Sequence, residues 1–253
     1  LDADPGVSFG KTLGFAGRQI CFDKSEAGKE GEGSLGYSGN ELAGHIIAGN
    51  GFNYIPIHAK AIMSAGKYNI ASCSKFALGK NISDLGRYGC IDLILGLEKD
   101  DGYSLRQYKT FTPKMQSLLS NYTRQGGNLI VSGAYVGSDM KSREEVDFIN
   151  NVLHISSNGT IRPGADNAVN GMGTSFNIYT TLNEFNYAAT SINLISPIEP
   201  AFCALTESNG HSVCVAYKGD RFRTFTMGFP FECITSEKKQ SLIMRGILDF
   251  IFN

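Results

Sequence analysis

TPKMQSLLSNYTRQGGNLIVSGAYVGSDM, residues 112–140, reads as a helix, a tight stop, a buried strand and a glycine-rich turn. Thr112 suits a helix N-cap and Pro113 the first helical position, where a missing N–H leaves nothing unpaired. Met115, Leu118, Leu119 and Tyr122 follow the i, i+3, i+4, i+7 spacing of a helix with one buried stripe. Gly126 and Gly127 can take the left-handed conformation that ends a helix. Leu129, Ile130 and Val131 are apolar without interruption, as in a strand covered on both faces. The turn Gly133-Ala134-Tyr135-Val136-Gly137 follows at the strand's C-terminal end, the edge at which open α/β sheets bind ligands.

Outward from this stretch the elements alternate. Residues 56–65 (PIHAKAIMSA) are expected to form a short helix, and residues 68–71 and 91–95 (IDLIL) short strands. Strand, helix, strand, helix, strand in this order argues a right-handed, mostly parallel sheet. Residues 142–153 read as a helix with a Ser142–Glu145 capping box and a stripe of Val146, Ile149 and Leu153. From 154 to 231 the chain changes to Asn- and Gly-rich turns between short β-like runs at 175–179, 192–195, 202–205, 213–217 and 223–227. These read as an antiparallel elaboration added to the sheet. A closing helix spans 236–252, its stripe Leu242, Ile243, Ile247, Phe250 and Ile251. The N-terminal residues 1–55 are loop-rich, with a strand expected within 18–23 and a glycine-rich surface loop at 25–39. The whole of 1–253 is read as a single α/β domain, a three-layer sandwich.

With 253 residues, 42% hydrophobic and 19% charged, the chain has ample material for a core. A net charge of -1 gives no electrostatic reason to expect nucleic acid. No apolar run approaches the roughly 20 residues that span a bilayer. The chain begins at Leu1 and shows no signal-peptide pattern, so it is read as a mature or trimmed fragment. The six cysteines form no CxxC pair. Cys203 and Cys214 flank a short turn, which allows either a cross-strand disulfide or two separate thiols.

GGNLIVSGAYVG (residues 126–137), preceded by IDLILG, and TFTMGFPFECI (224–234), followed by a terminal helix, resemble the glutamine-amidotransferase-like superfamily, a flavodoxin-like fold. IIAGNGFNYIPIHAKAI and IDLILGLEK are similar to domains of secreted bacterial proteins labelled xanthan lyases. The resemblance implies an extracytoplasmic location, neighbouring domains in a longer parent chain, and a carbohydrate or cell-wall ligand. It also implies a nucleophilic Cys at the turn and a His base with a Glu two residues on. Tyr135 stands at the nucleophile's place and Pro230 at the base's, and Glu232 alone is kept. A phenol with a pKa near ~10 is a poor acyl acceptor. The expectation is therefore a degenerate, non-catalytic domain that binds or scaffolds. The alternative is a lyase or hydrolase of polysaccharide or peptidoglycan with a relocated site.

Candidate residues follow from these positions. Tyr135 offers an aromatic face to a sugar, or simply fills the vacated pocket. Ser138 and Asp139 follow the turn, and Asp139 could bind a hydroxyl or a cation, though a turn Asp commonly bonds its own backbone. His58 falls in a first helical turn, where the helix dipole favours the neutral imidazole, and could work with Glu232, Asp139 or Glu98 as acid and base, or simply hydrogen-bond to backbone. Glu98, with Asp100 and Asp101, follows the strand at 91–95 and offers paired carboxylates, or a solvated loop. His45, His154 and His211 have no metal-ligand spacing, and no EF-hand or G-x-S-x-G pattern occurs, so neither metal nor cofactor is expected.

Overall fold

In the computed structural model, which describes residues 20–21, 46–47, 54–73, 85–99, 109–164, 167–181 and 187–253, the stretch at 112–140 folds as its residues dictate. The Thr112 hydroxyl accepts a hydrogen bond from the Met115 N–H, and Pro113–Arg124 is helical. Met115, Leu119 and Tyr122 are buried. Gly126 ends the helix at φ +92°, a conformation that favours glycine. At Gly127 a Cβ would lie 2.2 Å from the Tyr122 ring, whose hydroxyl donates to the Tyr88 carbonyl at 2.7 Å.

Numbered along the chain, the strands are β1 (Ile20–Cys21), β2 (Ile46–Ile47), β3 (Cys90–Gly96), β4 (Asn128–Gly133), β5 (Ile155–Ile161), β6 (Ala168–Gly171), β7 (Thr174–Asn177), β8 (Ile192–Pro197), β9 (Phe202–Glu207), β10 (Ser212–Lys218) and β11 (Arg223–Met227). The helices are α1 (Ile55–Ala65), α2 (Pro113–Arg124), α3 (Arg143–Phe148) and α4 (Glu237–Phe252). The main sheet has the order β3-β4-β11-β10-β9-β6-β7, while β1-β2 and β5-β8 form separate two-stranded ribbons.

Strand direction corrects the expected fold class. Among the described residues only β3–β4 and β4–β11 pair in parallel. All other pairings, β11–β10, β10–β9, β9–β6 and β6–β7 in the main sheet and both small ribbons, are antiparallel. The sheet is mostly antiparallel, not the mostly parallel sheet of a flavodoxin-like or amidotransferase-like three-layer sandwich. The hairpins read as an elaboration make up the body of the sheet. Continuous burial misled here: β4 is covered on both faces because residues of α1 and α4 pack over Ile130 and residues of α2 over Leu129 and Val131, and a strand so covered reads the same way whatever the direction of the other strands in its sheet.

Several expected details also shift. Residues 68–71 form no strand; Tyr68 instead stacks on Phe252 at the end of α4, ring centres 5.8 Å apart. The Ser142–Glu145 capping box is present in full. Beyond Phe148 the helix widens into a π turn over Ile149–Leu153, which rotates the buried stripe to Phe148, Ile149, Val152 and Leu153 and leaves Val146 exposed. In α4 the stripe is Gln240, Ile243, Met244, Ile247, Leu248 and Ile251, with Leu242 exposed and Phe250 half-buried. Cys203 and Cys214 are both free thiols; β-bulges set Val215 opposite Cys203 and Leu205 opposite Cys214. The loop at 25–39, His45, Asp100 and Asp101 lie outside the described residues.

Burial divides into two clusters, one on each face of the sheet. Ile94, Ile130, Phe225 and Met227 pack with α1 and α4 residues such as Ala61, Ile243 and Ile247. Ile91, Leu93, Leu129, Val131 and Val215 pack with Met115, Leu119, Phe148 and Leu153. Asp92 shares the first face by alternation, which aims a carboxylate at α1.

Candidate functional site

That carboxylate meets His58. Pro56 opens α1, so its first full turn presents His58 inward, 2% exposed. The ring Nδ1 lies 2.7 Å from Asp92 Oδ2 and Nε2 lies 3.3 Å from Glu232 Oε2. Glu232, 1% exposed, sits in the 3-10 turn Phe231–Cys233 between β11 and α4. Its Oε1 accepts the Tyr187 hydroxyl proton at 2.6 Å. The Phe231 ring packs against the imidazole with centres 4.8 Å apart, and Tyr54 packs edge-on to Tyr187 at 5.0 Å. Of the sequence candidates, the structure thus joins His58 and Glu232.

The protonation state reverses the expectation from the helix end. Burial alone would lower the His58 pKa, but the charge and hydrogen bond of Asp92, followed by those of Glu232, raise it from 6.5 to about 9. A helix terminus is worth about 0.3–1 kcal/mol, less than two carboxylates in contact. Burial would raise the Asp92 pKa, and the His58 charge more than offsets this, so Asp92 lies below its ordinary range. Burial first, with Cys233 and Glu232 adding to it, keeps Tyr187 a neutral phenol and hence a donor. At neutral pH His58 is an imidazolium held between two carboxylates. A general base needs one ring nitrogen free to receive a proton, with a nucleophile next to it. Here the second carboxylate occupies that place.

The turn after β4 is built differently. Asn193 on β8 is fully buried, and its Oδ1 accepts from the N–H groups of both Gly137 (2.7 Å) and Ser138 (2.9 Å). Its Nδ2 donates to Ser157 Oγ, the Gly159 carbonyl and the Leu194 carbonyl. Two backbone N–H groups converging on one oxygen are the geometry that receives an oxyanion in acyl-transfer enzymes; here a side chain fills it. Asn193→Ala is expected to lower stability by at least about 2 kcal/mol, because it strips partners from buried amides. Guanidinium chloride unfolding measures this, and a loss below about 0.5 kcal/mol would rule the clamp out.

The remaining candidates do not gather at His58. Tyr135 is half-buried against the core, with the Lys99 ammonium 4.7 Å from its ring centre. Asp139 is buried and accepts from the Thr110 N–H at 2.9 Å, tying the turn to residue 110. Glu98 is 1% exposed rather than solvated, and its carbonyl accepts the Thr110 hydroxyl. Among the described residues no cluster of three or more His, Cys, Asp or Glu is placed to hold a metal, and no helix is long and apolar enough to cross a membrane.

A cavity of about 420 Å³ opens along β3, the outer strand of the sheet, between α1, residues 68–73, the turn Leu85–Arg87 and the end of α4. His58 and Asp92 reach its wall, together with Tyr68, Tyr88 and Phe252. Sequence reasoning missed Asp92, Tyr187 and Asn193. Asp92 and Asn193 carried a visible signal, a single polar residue inside an apolar β run (IDLIL, INLI).

No protein-family model matches the chain, and no curated protein matches its sequence. Among solved structures it is similar to a β-galactosidase from the Antarctic haloarchaeon Halorubrum lacusprofundi, at 13% identity and TM-score 0.46, over 79% of this chain and 27% of that one. A cytoplasmic protein from Salmonella typhimurium LT2 is similar at 13% identity and TM-score 0.47, over 76% and 83% of the two chains. An exo-β-1,4-mannosidase from Opitutaceae bacterium strain TAV5 is similar at 11% identity and TM-score 0.37, over 55% and 23%. The chain spans 20% to 27% of the length of the glycosidases it matches. Likenesses of this strength carry no argument about activity. The amidotransferase-like resemblance fails on the antiparallel sheet, and neither that superfamily nor a xanthan-lyase family matches the chain.

Proposed function

We propose that this chain is a non-catalytic domain that binds carbohydrate or cell-wall material and works beside other domains of a longer protein. The observation that supports this reading most is His58, whose two ring nitrogens both lie against carboxylates. The Asn193 oxygen, seated between the Gly137 and Ser138 amides, supports it further. The cavity along β3 supports binding, since its volume lies within the roughly 300–1,000 Å³ range of ligand pockets.

The test incubates the purified protein with mannan, galactan, xanthan and peptidoglycan. Binding is read by pull-down and calorimetry, and cleavage by new reducing ends and by unsaturated products. Retention of at least one polymer with no cleavage is the expected result. Cleavage that disappears in a folded His58→Ala or Glu232→Ala protein would overturn the proposal in favour of a lyase or hydrolase acting at that pair.

A further inference from the structure

Three Asn-Gly steps lie among the described residues: Asn158-Gly159, Asn170-Gly171 and Asn209-Gly210. A fourth, Asn50-Gly51, lies outside them. Asn is chemically labile, most of all before glycine, where no side chain shields the next backbone nitrogen from the Asn Cγ. The fold holds two of the three steps against that attack. Asn170 and Gly171 are paired on both sides, to β7 and β9, and a Cβ at Gly171 would collide with the Ala204 carbonyl. At the β9–β10 turn the Gly210 N–H donates to the Glu207 carbonyl at 2.8 Å. The Glu207 carboxylate accepts from both the backbone N–H and the Nδ2 of Asn209.

Asn158 is not held in this way. Asn158, Gly159 and Thr160 are exposed. The β5–β8 ladder shifts register between Ser157 and Thr160, so the Asn158-Gly159 step bulges out of it. Gly159 takes φ +84°, and no atom lies within 4 Å of the place a Cβ would occupy. Its N–H reaches Ser157 Oγ at a long 3.4 Å. Asn158 Nδ2 donates to Ser196 Oγ at 2.6 Å, a bond at the departing nitrogen rather than at the carbon attacked. The step also borders the buried clamp. Asn193 Nδ2 donates to Ser157 Oγ and to the Gly159 carbonyl, the residues on either side of Asn158, while its Oδ1 holds the Gly137 and Ser138 amides.

We infer that Asn158-Gly159 is a self-modification site whose conversion loosens the turn after β4. The Gly159 nitrogen bonds to Asn158 Cγ as the Cγ–Nδ2 bond breaks, and ammonia leaves with the proton from the Gly159 nitrogen. Water then opens the cyclic imide at either carbonyl, giving aspartate or isoaspartate. Isoaspartate runs the chain through its side-chain carbon. That lengthens the backbone by one carbon just before the Gly159 carbonyl that Asn193 uses. The inference is independent of the carbohydrate reading.

The test ages the wild type and an Asn158→Gln variant, whose longer side chain closes the ring far more slowly, in warm, mildly alkaline buffer. Each is aged folded and in guanidinium chloride. Peptide mass mapping reads conversion of amide to acid at each step. An isoaspartyl methyltransferase with labelled S-adenosylmethionine reads isoaspartate. In the folded wild type, conversion at Asn158 is expected to run about tenfold ahead of Asn170 and Asn209, and in denaturant the three rates converge. Amide exchange at Gly137 and Ser138 quickens about tenfold in the aged wild type, as for the loss of one hydrogen bond, and stays unchanged in the aged Asn158→Gln protein. Folded-state conversion at Asn170 or Asn209 that matches Asn158, or an Asn158 that converts only in denaturant, overturns the site. Conversion at Asn158 that leaves exchange at Gly137 and Ser138 unchanged overturns its link to the clamp.

Discussion

His58→Ala is expected to lower the free energy of unfolding by about 3–5 kcal/mol, the range for removing one partner from a buried ion pair. Alanine removes the cation and leaves the Asp92 and Glu232 carboxylates facing the space the ring filled, with Glu232 at 1% exposure. It also removes the ring that packs on Phe231. Neutralising the acids should restore much of the loss. In the triple variant His58→Leu, Asp92→Asn, Glu232→Gln no charge remains to be solvated, and a buried amide without a partner costs less than a buried charge without one. The Tyr187 hydroxyl still finds an acceptor there, because the Glu232→Gln substitution keeps a side-chain carbonyl oxygen at that position. Denaturant midpoints of the single and triple variants measure both effects. A His58→Ala loss under about 1 kcal/mol, or a triple variant no better than the single, would show that the cluster is not an ion-pair network.

The elements whose state depends on near neighbours could be read from the residues alone. Thr112 with Met115, Ser142 with Glu145, and Gly126 at the end of α2 each decide a helix end within a few residues. Sheet direction is decided elsewhere. β11 enters the sheet beside β4 across a large sequence separation: Arg223 N–H donates to Asn128 Oδ1, 95 residues away. Nothing local to residues 202–227 distinguishes a ribbon hung on an edge from one that forms the body of the sheet. The same limit applies to the site. His58 and Glu232 could each be named, but the bond between them joins residues 174 apart. The helix-end argument for a neutral His58 failed because it weighed the one local influence and lacked the two distant ones. Asp92 and Asn193 suggest a more useful rule: a single polar side chain inside an apolar strand marks a buried partner waiting on another element.

Stability is expected to fall as the solution turns alkaline, and His58 fixes both the direction and the window. In the folded chain its pKa is about 9, against 6.5 when unfolded. Below pH about 6.5 both states hold the proton, and the full contribution, on the order of 3 kcal/mol, is present. Between about 6.5 and 9 only the folded state holds it, so each unit of pH costs about 1.4 kcal/mol, and above about 9 the contribution is gone. Asp92 acts at the other end: its folded pKa lies below 3.8, so its contribution is present above 3.8 and lost as pH falls through the folded value. His154, lowered by burial, has the opposite sign to His58, but its effect ends near 6.5 and leaves the alkaline window clear. Unfolding free energies at about pH 6 and about pH 9 should therefore differ by about 3 kcal/mol in the wild type and by much less in the His58→Leu, Asp92→Asn, Glu232→Gln triple variant. Imidazole nitrogen shifts supply an independent reading: both His58 nitrogens should remain protonated at neutral pH and titrate near about 9. A midpoint at or below 6.5 would mean that Asp92 and Glu232 do not hold the cation, and the case against His58 as a base would go with it.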